Sequence, residues 1–127
     1  MPEKKIFPSP SKKRELILQA LYQQEISGDS NTEILKQLKE RNKKFNLSEL
    51  NEFLKGIKKN KKTIDEVIET NSKLNFKDIG QIEISILRSI IYEMMQKKVD
   101  RSVSLNEGVR LAKKYGQDSS CLLYTSD

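Results

Sequence analysis

The chain has 127 residues, of which 35% are hydrophobic and 33% are charged, and its formal net charge is +6. A chain of this length fits one domain and can bury about two thirds of its unfolded surface. It contains one Cys and no His, which excludes an internal disulfide and removes the usual imidazole base and zinc ligand. We therefore expect no catalytic site, no metal site and no cofactor.

The longest apolar run is far short of the roughly 20 residues that cross a bilayer, and the N-terminus lacks a secretory apolar segment. We therefore expect a cytoplasmic protein that does not associate with membranes. Residues 1–62 carry 15 Lys or Arg against 8 Asp or Glu, whereas residues 63–120 carry 9 of each. Part of this basicity reflects a Lys-rich composition typical of AT-rich genomes. The asymmetry nevertheless indicates an anionic partner, with nucleic acid as the leading candidate.

The N-terminal segment combines an unpatterned stretch with a basic helix. Residues 1–10 hold three prolines and no periodic pattern, which predicts a flexible basic arm. A helix is predicted from about Ser11 to Ile26, with Gly28 ending it. Its inward face is formed by apolar residues at helical spacing. These are Ile17, Leu18, Ala20, Leu21 and Tyr22.

The first turn of this helix holds three consecutive cations, Lys12, Lys13 and Arg14. The helix dipole disfavours each of them there by about 0.3–1 kcal/mol, although the free N–H groups of a helix start can bind an anion. A bound phosphate would reconcile the two effects. A solvated run of charge is the other interpretation, and the residues alone leave both open.

Capping signals predict the next two helices. Ser30 and Glu33 form a capping box that opens a helix running to about Lys44, and Ser48 caps the helix that follows. Both helices carry apolar residues at helical spacing, which we expect to face the core. These are Ile34, Leu35 and Leu38 in the first, and Leu50, Phe53, Leu54 and Ile57 in the second.

A fourth helix is predicted after the lysine-rich stretch 58–62, which we interpret as a solvated surface. Thr63 and Glu66 form a second capping box at its start. Its apolar residues are expected to point inward. They are Ile64, Val67, Ile68 and Leu74.

The stretch Ile79–Met95 is apolar around much of its circumference and predicts the central, mostly buried helix, with neighbours on several sides. Its apolar residues recur at helical spacing. They are Ile79, Ile82, Ile86, Leu87, Ile90, Ile91, Met94 and Met95. A narrow polar strip remains, formed by Gln81, Glu83, Ser85, Arg88 and Glu93.

The last predicted helix starts at a third capping box, Ser104 with Glu107, and ends at Gly116. Its apolar side is formed by Val109, Leu111, Ala112 and Tyr115. Lys113 lies in the last turn, where the helix dipole alone would explain a cation. Together these segments predict an all-α fold, a compact single-domain helical bundle.

Three segments resemble the NusB family of small, all-helical bacterial transcription antitermination factors that bind RNA. They are SKKRELILQALYQQEISG (Ser11–Gly28), IGQIEISILRSIIYEM (Ile79–Met94) and VSLNEGVRLAKKYGQDSS (Val103–Ser120). The last two are the specific part, and the match covers nearly all of residues 11–120 in order.

The resemblance implies binding of single-stranded boxA-type RNA together with the ribosomal protein NusE, within transcription elongation complexes that support ribosomal RNA synthesis. Family RNA contacts fall on the start of the first helix and on the region after the penultimate helix. The corresponding positions here are Lys12, Lys13, Arg14, Lys113, Gln117, Asp118 and Ser119. Glu83 corresponds to part of the NusE-facing surface. Some members of the family dimerise, so a homodimer is a further expectation.

The chain departs from the family pattern in its C-terminal part. Asp100 stands where the family has a proline, and Gly108 replaces the usual alanine, which weakens that helix by up to about 1 kcal/mol. After Ser120 the family continues into a final helix, whereas this chain ends CLLYTSD. Residues 121–127 can be encoded by TGT CTC TTA TAC ACA TCT GAC, which resembles a sequencing-library adapter. We therefore expect a non-native tail at 121–127 and a bundle that lacks its final helix.

Two other functions remain open at this stage. NusB-like domains also form the N-terminal, RNA-binding part of ribosomal RNA cytosine methyltransferases, so the chain could be such a domain separated from its catalytic part. A helical adaptor that binds only protein is the third interpretation. RNA binding at physiological salt separates the adaptor from the other two.

Overall fold

The computed structural model describes residues 4–116, which form six α-helices and one short 3-10 helix. In chain order they are α1 (Pro10–Ser27), α2 (Asn31–Arg41), α3 (Ser48–Lys59), α4 (Lys61–Asn71), the 3-10 helix (Phe76–Asp78), α5 (Gln81–Gln96) and α6 (Arg101–Tyr115). Over the described residues the only β-type pairing is an isolated bridge, so the predicted all-α fold is confirmed. The helices divide into two units, with the division between Lys55 and Gly56 inside α3.

In the first unit, α1 packs against α2. Helix α1 begins one residue earlier than predicted because Pro10 occupies its first turn and Ser9 serves as the N-cap. It ends as predicted at Gly28, whose φ of 75° is the left-handed conformation that glycine adopts without strain. All five apolar residues predicted to face inward from this helix are buried.

The start of α2 is confirmed, because the Ser30 hydroxyl accepts a hydrogen bond from the Glu33 amide at 3.2 Å. The helix ends at Arg41, earlier than predicted. The Asn42 side-chain amide donates to the Leu38 carbonyl at 2.9 Å, which satisfies a carbonyl of the last turn and stops the helix. The predicted core residues of α2 and α3 are all buried.

Two predicted helix starts in the middle of the chain were displaced. Ser48 is the first residue of α3 and its amide donates to the Asn46 side chain at 3.0 Å. Helix α4 begins at Lys61, so Thr63 lies inside the helix and forms no capping box. Only Asn60 separates α3 from α4, and its side-chain amide donates to the Gly56 carbonyl at 2.8 Å.

In the second unit, α5 packs against both α4 and α6, as expected of a central helix. Its predicted polar strip is the main correction, because Ser85, Arg88 and Glu93 are buried. Each has a polar partner. The Ser85 hydroxyl donates to the Gln81 carbonyl, Arg88 pairs with Asp65, and Glu93 accepts from a hydroxyl of α6. Buried polar groups are tolerated when they are hydrogen-bonded in this way.

Helix α6 begins at Arg101 after Asp100, so the predicted start at Ser104 was wrong. Ser104 is fully buried one turn into the helix, and its hydroxyl donates to Glu93 Oε2 at 2.5 Å. Glu107 pairs instead with Arg110, at 2.8 Å from Oε2 to Nε. A motif read as a helix cap therefore supplies a contact between α5 and α6.

Several apolar residues predicted to face the core are exposed. On the helices they are Val67, Leu87, Met95, Val109 and Ala112. Leu74 is exposed as well, because α4 ends at Asn71 and Leu74 lies beyond it. The buried faces of α4, α5 and α6 are accordingly narrower than their apolar patterns suggested. None of the helices in residues 4–116 is long and apolar enough to span a membrane.

Candidate nucleic-acid interface

The first turn of α1 does not present a row of free amides. Pro10 has no N–H group, the Lys12 amide donates to the Ser9 hydroxyl at 3.2 Å, and the Lys13 amide donates to the Ser9 carbonyl at 2.8 Å. The expected attraction of an anion to free helix-start amides is therefore largely removed. Any attraction for phosphate at this site depends on the side-chain charges.

The three cations of this turn have different environments. Lys12 is exposed. The Lys13 side chain is 28% exposed, lies 3.6 Å from Glu49 Oε1, and its ammonium is 5.9 Å from the centre of the Phe53 ring. Arg14 is buried, with 7% of its surface exposed. Only Lys12 is fully presented to solvent, and Arg14 is part of the protein interior.

The Lys13–Glu49 pair is compatible with ligand binding. Glu49 is more than half exposed, and a partly exposed ion pair contributes at most about 1 kcal/mol. A phosphate approaching Lys13 can therefore compete with Glu49 at small cost. The same pair holds the lysine in one region of the surface when no ligand is bound.

The segment predicted as a flexible arm is paired with the loop between α2 and α3. The Ile6 amide donates to the Lys44 carbonyl at 3.1 Å, and the Asn46 amide donates to the Ile6 carbonyl at 2.7 Å, forming a parallel bridge between Ile6 and Phe45. Pro8 is buried. The absence of any periodic pattern gave no indication of this pairing, because a single bridge involves only one residue on each side.

This bridge brings together basic residues that are far apart in the chain. Lys4 and Lys5 precede Ile6, Lys43 and Lys44 precede Phe45, and all four lysines are exposed. Lys43 and Lys44 were predicted to lie in the last turn of the second helix, but they follow its end at Arg41. A signal was present in the sequence, since KKIF and KKF both place two lysines before a large apolar or aromatic residue.

The remaining predicted RNA contacts belong to the second unit or lie outside the described residues. Lys113 is exposed in the last turn of α6. Gln117, Asp118 and Ser119 lie outside the described residues, as does the predicted tail at 121–127. Their roles stay predictions.

Glu83 lies in the first turn of α5 and is half-buried. Its carboxylate is folded back against Gly80, the N-cap residue, where an added Cβ would collide with Glu83 Oε2. Gly80 has no side chain with which to cap the helix. The carboxylate therefore places negative charge at the positive end of the helix dipole, which is favourable by about 0.3–1 kcal/mol.

These features define a small all-helical protein whose N-terminal unit carries exposed positive charge at the start of α1 and along the adjoining loop. The chain belongs to the NusB family, whose family model matches residues 11–122.

Relatives in three bacterial genera support this assignment, and each is named transcription antitermination protein NusB. The protein of Clostridium novyi (strain NT) is 35% identical over 116 residues, covering 86% of each chain. That of Campylobacter concisus (strain 13826) is 33% identical over 111 residues, covering 84% of this chain and 83% of the relative. That of Bacillus cereus (strain ATCC 10987 / NRS 248) is 35% identical over 113 residues, covering 84% of each. These names describe antitermination factors rather than enzymes.

Proposed function

We propose that this protein is a transcription antitermination factor without catalytic activity, which binds single-stranded boxA-type RNA together with NusE in transcription elongation complexes. Family membership and the names of the relatives support the antitermination role. The observation that supports RNA as the ligand is the exposed positive charge at the start of α1. Lys12 and Lys13 lie there although the helix dipole disfavours cations at a helix start. The first turn contains no acidic residue.

Within the predicted site, the structure supports different roles for the three consecutive cations. Lys12 contacts phosphate directly, and Lys13 does so by leaving Glu49. Arg14 is a positioning residue that supports the turn from the interior, since only 7% of its surface is exposed. Lys113, with Gln117, Asp118 and Ser119, forms the second RNA contact in this proposal.

The test is a titration of fluorescently labelled boxA-type RNA at several salt concentrations, with and without NusE. Lys12→Ala is expected to weaken binding and to lower the salt slope by about 0.7, the value for one single-strand phosphate contact. Lys36→Ala is the matched control, because Lys36 is an exposed lysine on α2. No measurable RNA binding by the parent protein, with NusE present, would refute the proposed function. Equal effects of Lys12→Ala and Lys36→Ala would remove the first turn of α1 from the site.

We also propose that Glu83 contributes to the NusE interface. Its half-buried carboxylate at the helix start can accept a charge-assisted hydrogen bond from a basic partner. Glu83→Lys is expected to weaken association with NusE by at least about 1.5 kcal/mol through like-charge contact, while RNA binding by the isolated protein stays near the parent value.

Calorimetry with NusE tests this, and Glu69→Lys, at an exposed position on α4, is the control for the change in net charge. Parent-like NusE binding by Glu83→Lys, accompanied only by a lower melting temperature, would assign Glu83 to stabilisation of the helix start. The NusE interface would then lie elsewhere.

A further inference from the structure

We propose that the Ile6–Phe45 bridge builds a third RNA contact, in which Lys4, Lys5, Lys43 and Lys44 bind backbone phosphates and Phe7 stacks on a base. This surface is called the bridge patch below. The proposal rests on the proposed function in taking single-stranded RNA as the ligand. It adds a region that neither the first turn of α1 nor the end of α6 includes.

Backbone pairing holds the lysines of the bridge patch together. Because the Ile6 amide is bonded to the Lys44 carbonyl at 3.1 Å, the peptide group that follows Lys5 lies against the one that follows Lys44. The second bond, from Asn46 to Ile6, closes the pair at 2.7 Å. The two lysine pairs are therefore neighbours in space although they are about forty residues apart in the chain.

The charge of this surface is of one sign. Residues 4–12 and 41–48 contain six Lys or Arg and no Asp or Glu, and the nearby Glu49 pairs with Lys13 of α1. Like charges held together repel one another, so the bridge forms against an electrostatic cost that a bound polyanion would relieve. Release of counterions from the RNA adds to the binding free energy for each phosphate that is neutralised.

An exposed aromatic ring distinguishes this surface from other basic stretches of the chain. Phe7 is 56% exposed immediately after the bridge, where burial in a core would have been the usual outcome for a phenylalanine. Stacking of a base on an exposed aromatic ring, beside cations that follow the backbone, is the common arrangement for single-stranded nucleic acid. The lysine-rich stretch 58–62 has no aromatic residue within it.

The bridge patch lies close to the site proposed on α1. Lys12 is six positions after Ile6 in the chain, which is at most about 20 Å of extended chain. Both belong to the first unit. One RNA strand can therefore contact both sites, with the bridge patch increasing affinity and the length of RNA that is covered.

The experiment compares RNA binding of four variants at several salt concentrations, with the parent and Lys12→Ala alongside. Lys43→Ala/Lys44→Ala is expected to lower the salt slope by about 1.4, for two single-strand phosphate contacts. Lys58→Ala/Lys59→Ala removes another exposed lysine pair and is expected to leave the slope near the parent value. Phe7→Leu, which keeps an apolar side chain but has no ring, is expected to weaken binding by at least about fivefold, whereas Phe7→Trp binds as well as the parent or better.

The outcomes separate the bridge patch from the proposed function. If Lys12→Ala weakens binding but Lys43→Ala/Lys44→Ala and Lys58→Ala/Lys59→Ala behave alike, the bridge patch is refuted while the RNA-binding function stands. If Phe7→Leu binds as the parent does, the stacking role is refuted. Absence of RNA binding by the parent overturns both proposals. Binding of a poly-glutamate peptide as tightly as RNA would identify an acidic protein as the ligand and refute the RNA contact. Far-UV circular dichroism of each variant confirms that the helices are retained.

Discussion

The substitution Asp65→Ala tests whether the buried polar residues of α5 depend for their stability on partners from other helices. Arg88 is only 7% exposed. Its guanidinium donates twice to Asp65, from Nε to Oδ1 at 2.9 Å and from Nη2 to Oδ2 at 3.1 Å. Its guanidinium carbon also lies 5.8 Å from the centre of the Phe76 ring. Asp65→Ala removes the carboxylate and leaves a permanently charged group in the interior.

The magnitude follows from the burial of the two side chains. Removing one partner of a buried ion pair lowers the free energy of unfolding by about 3–5 kcal/mol, because the remaining charge is left unpaired. The Asp65 side chain is 21% exposed, so water can partly replace the lost carboxylate, and we expect a value near the lower end, about 3 kcal/mol. That is a large part of the total stability of about 5–15 kcal/mol that is usual for a domain.

Urea unfolding followed by circular dichroism measures the loss, and a double-mutant cycle identifies its cause. Arg88→Met removes the charge while keeping much of the apolar volume, and the double variant Asp65→Ala/Arg88→Met leaves no unpaired charge at this position. The double variant should therefore be more stable than Asp65→Ala alone, by about 1–3 kcal/mol. A cost below about 0.5 kcal/mol for Asp65→Ala, or strict additivity in the cycle, would refute the reasoning that this pair maintains the buried strip.

Three further substitutions test contacts within single helices and between neighbouring ones, each by its urea midpoint. Gly56→Ala should destabilise the protein by about 1–2 kcal/mol, because the added methyl group collides with the Tyr92 ring. This loss outweighs the better helix propensity of Ala, and a gain in stability would show that the Tyr92 ring moves aside easily. Ser104→Ala should cost about 2 kcal/mol, since the Glu93 carboxyl loses a buried donor at 2.5 Å, and an unchanged midpoint would contradict that role. Ser30→Ala should cost about 1 kcal/mol through loss of the α2 cap, and a cost near zero would mean that water replaces the cap.

The sequence by itself determined which segments are helical and most of the core. Helical spacing alone places apolar residues on one side of a helix, and that side is buried throughout in α1, α2 and α3 but only in part in α4, α5 and α6. The end of α1 at Gly28 was likewise predictable, since a left-handed residue there favours glycine locally.

The sequence was less reliable for helix starts. A Ser or Thr followed three residues later by Glu is a cap at a helix start, but the same spacing also occurs inside helices. Thr63 and Ser104 have the pattern and lie within α4 and α6. Ser30 has it and is a true N-cap. When the residues before the motif are themselves helical, the motif alone does not show where the helix begins.

Only the tertiary structure decided which polar residues are buried and which residues form the candidate site. Arg88 looked like a surface residue because its partner, Asp65, is 23 positions away in the chain, and no local pattern reports a partner at that distance. Arg14 could not be separated from Lys12 for the same reason, since burial depends on which helices pack over each side chain. The Ile6–Phe45 bridge is the clearest example, because two backbone hydrogen bonds between distant segments leave no periodicity in either one.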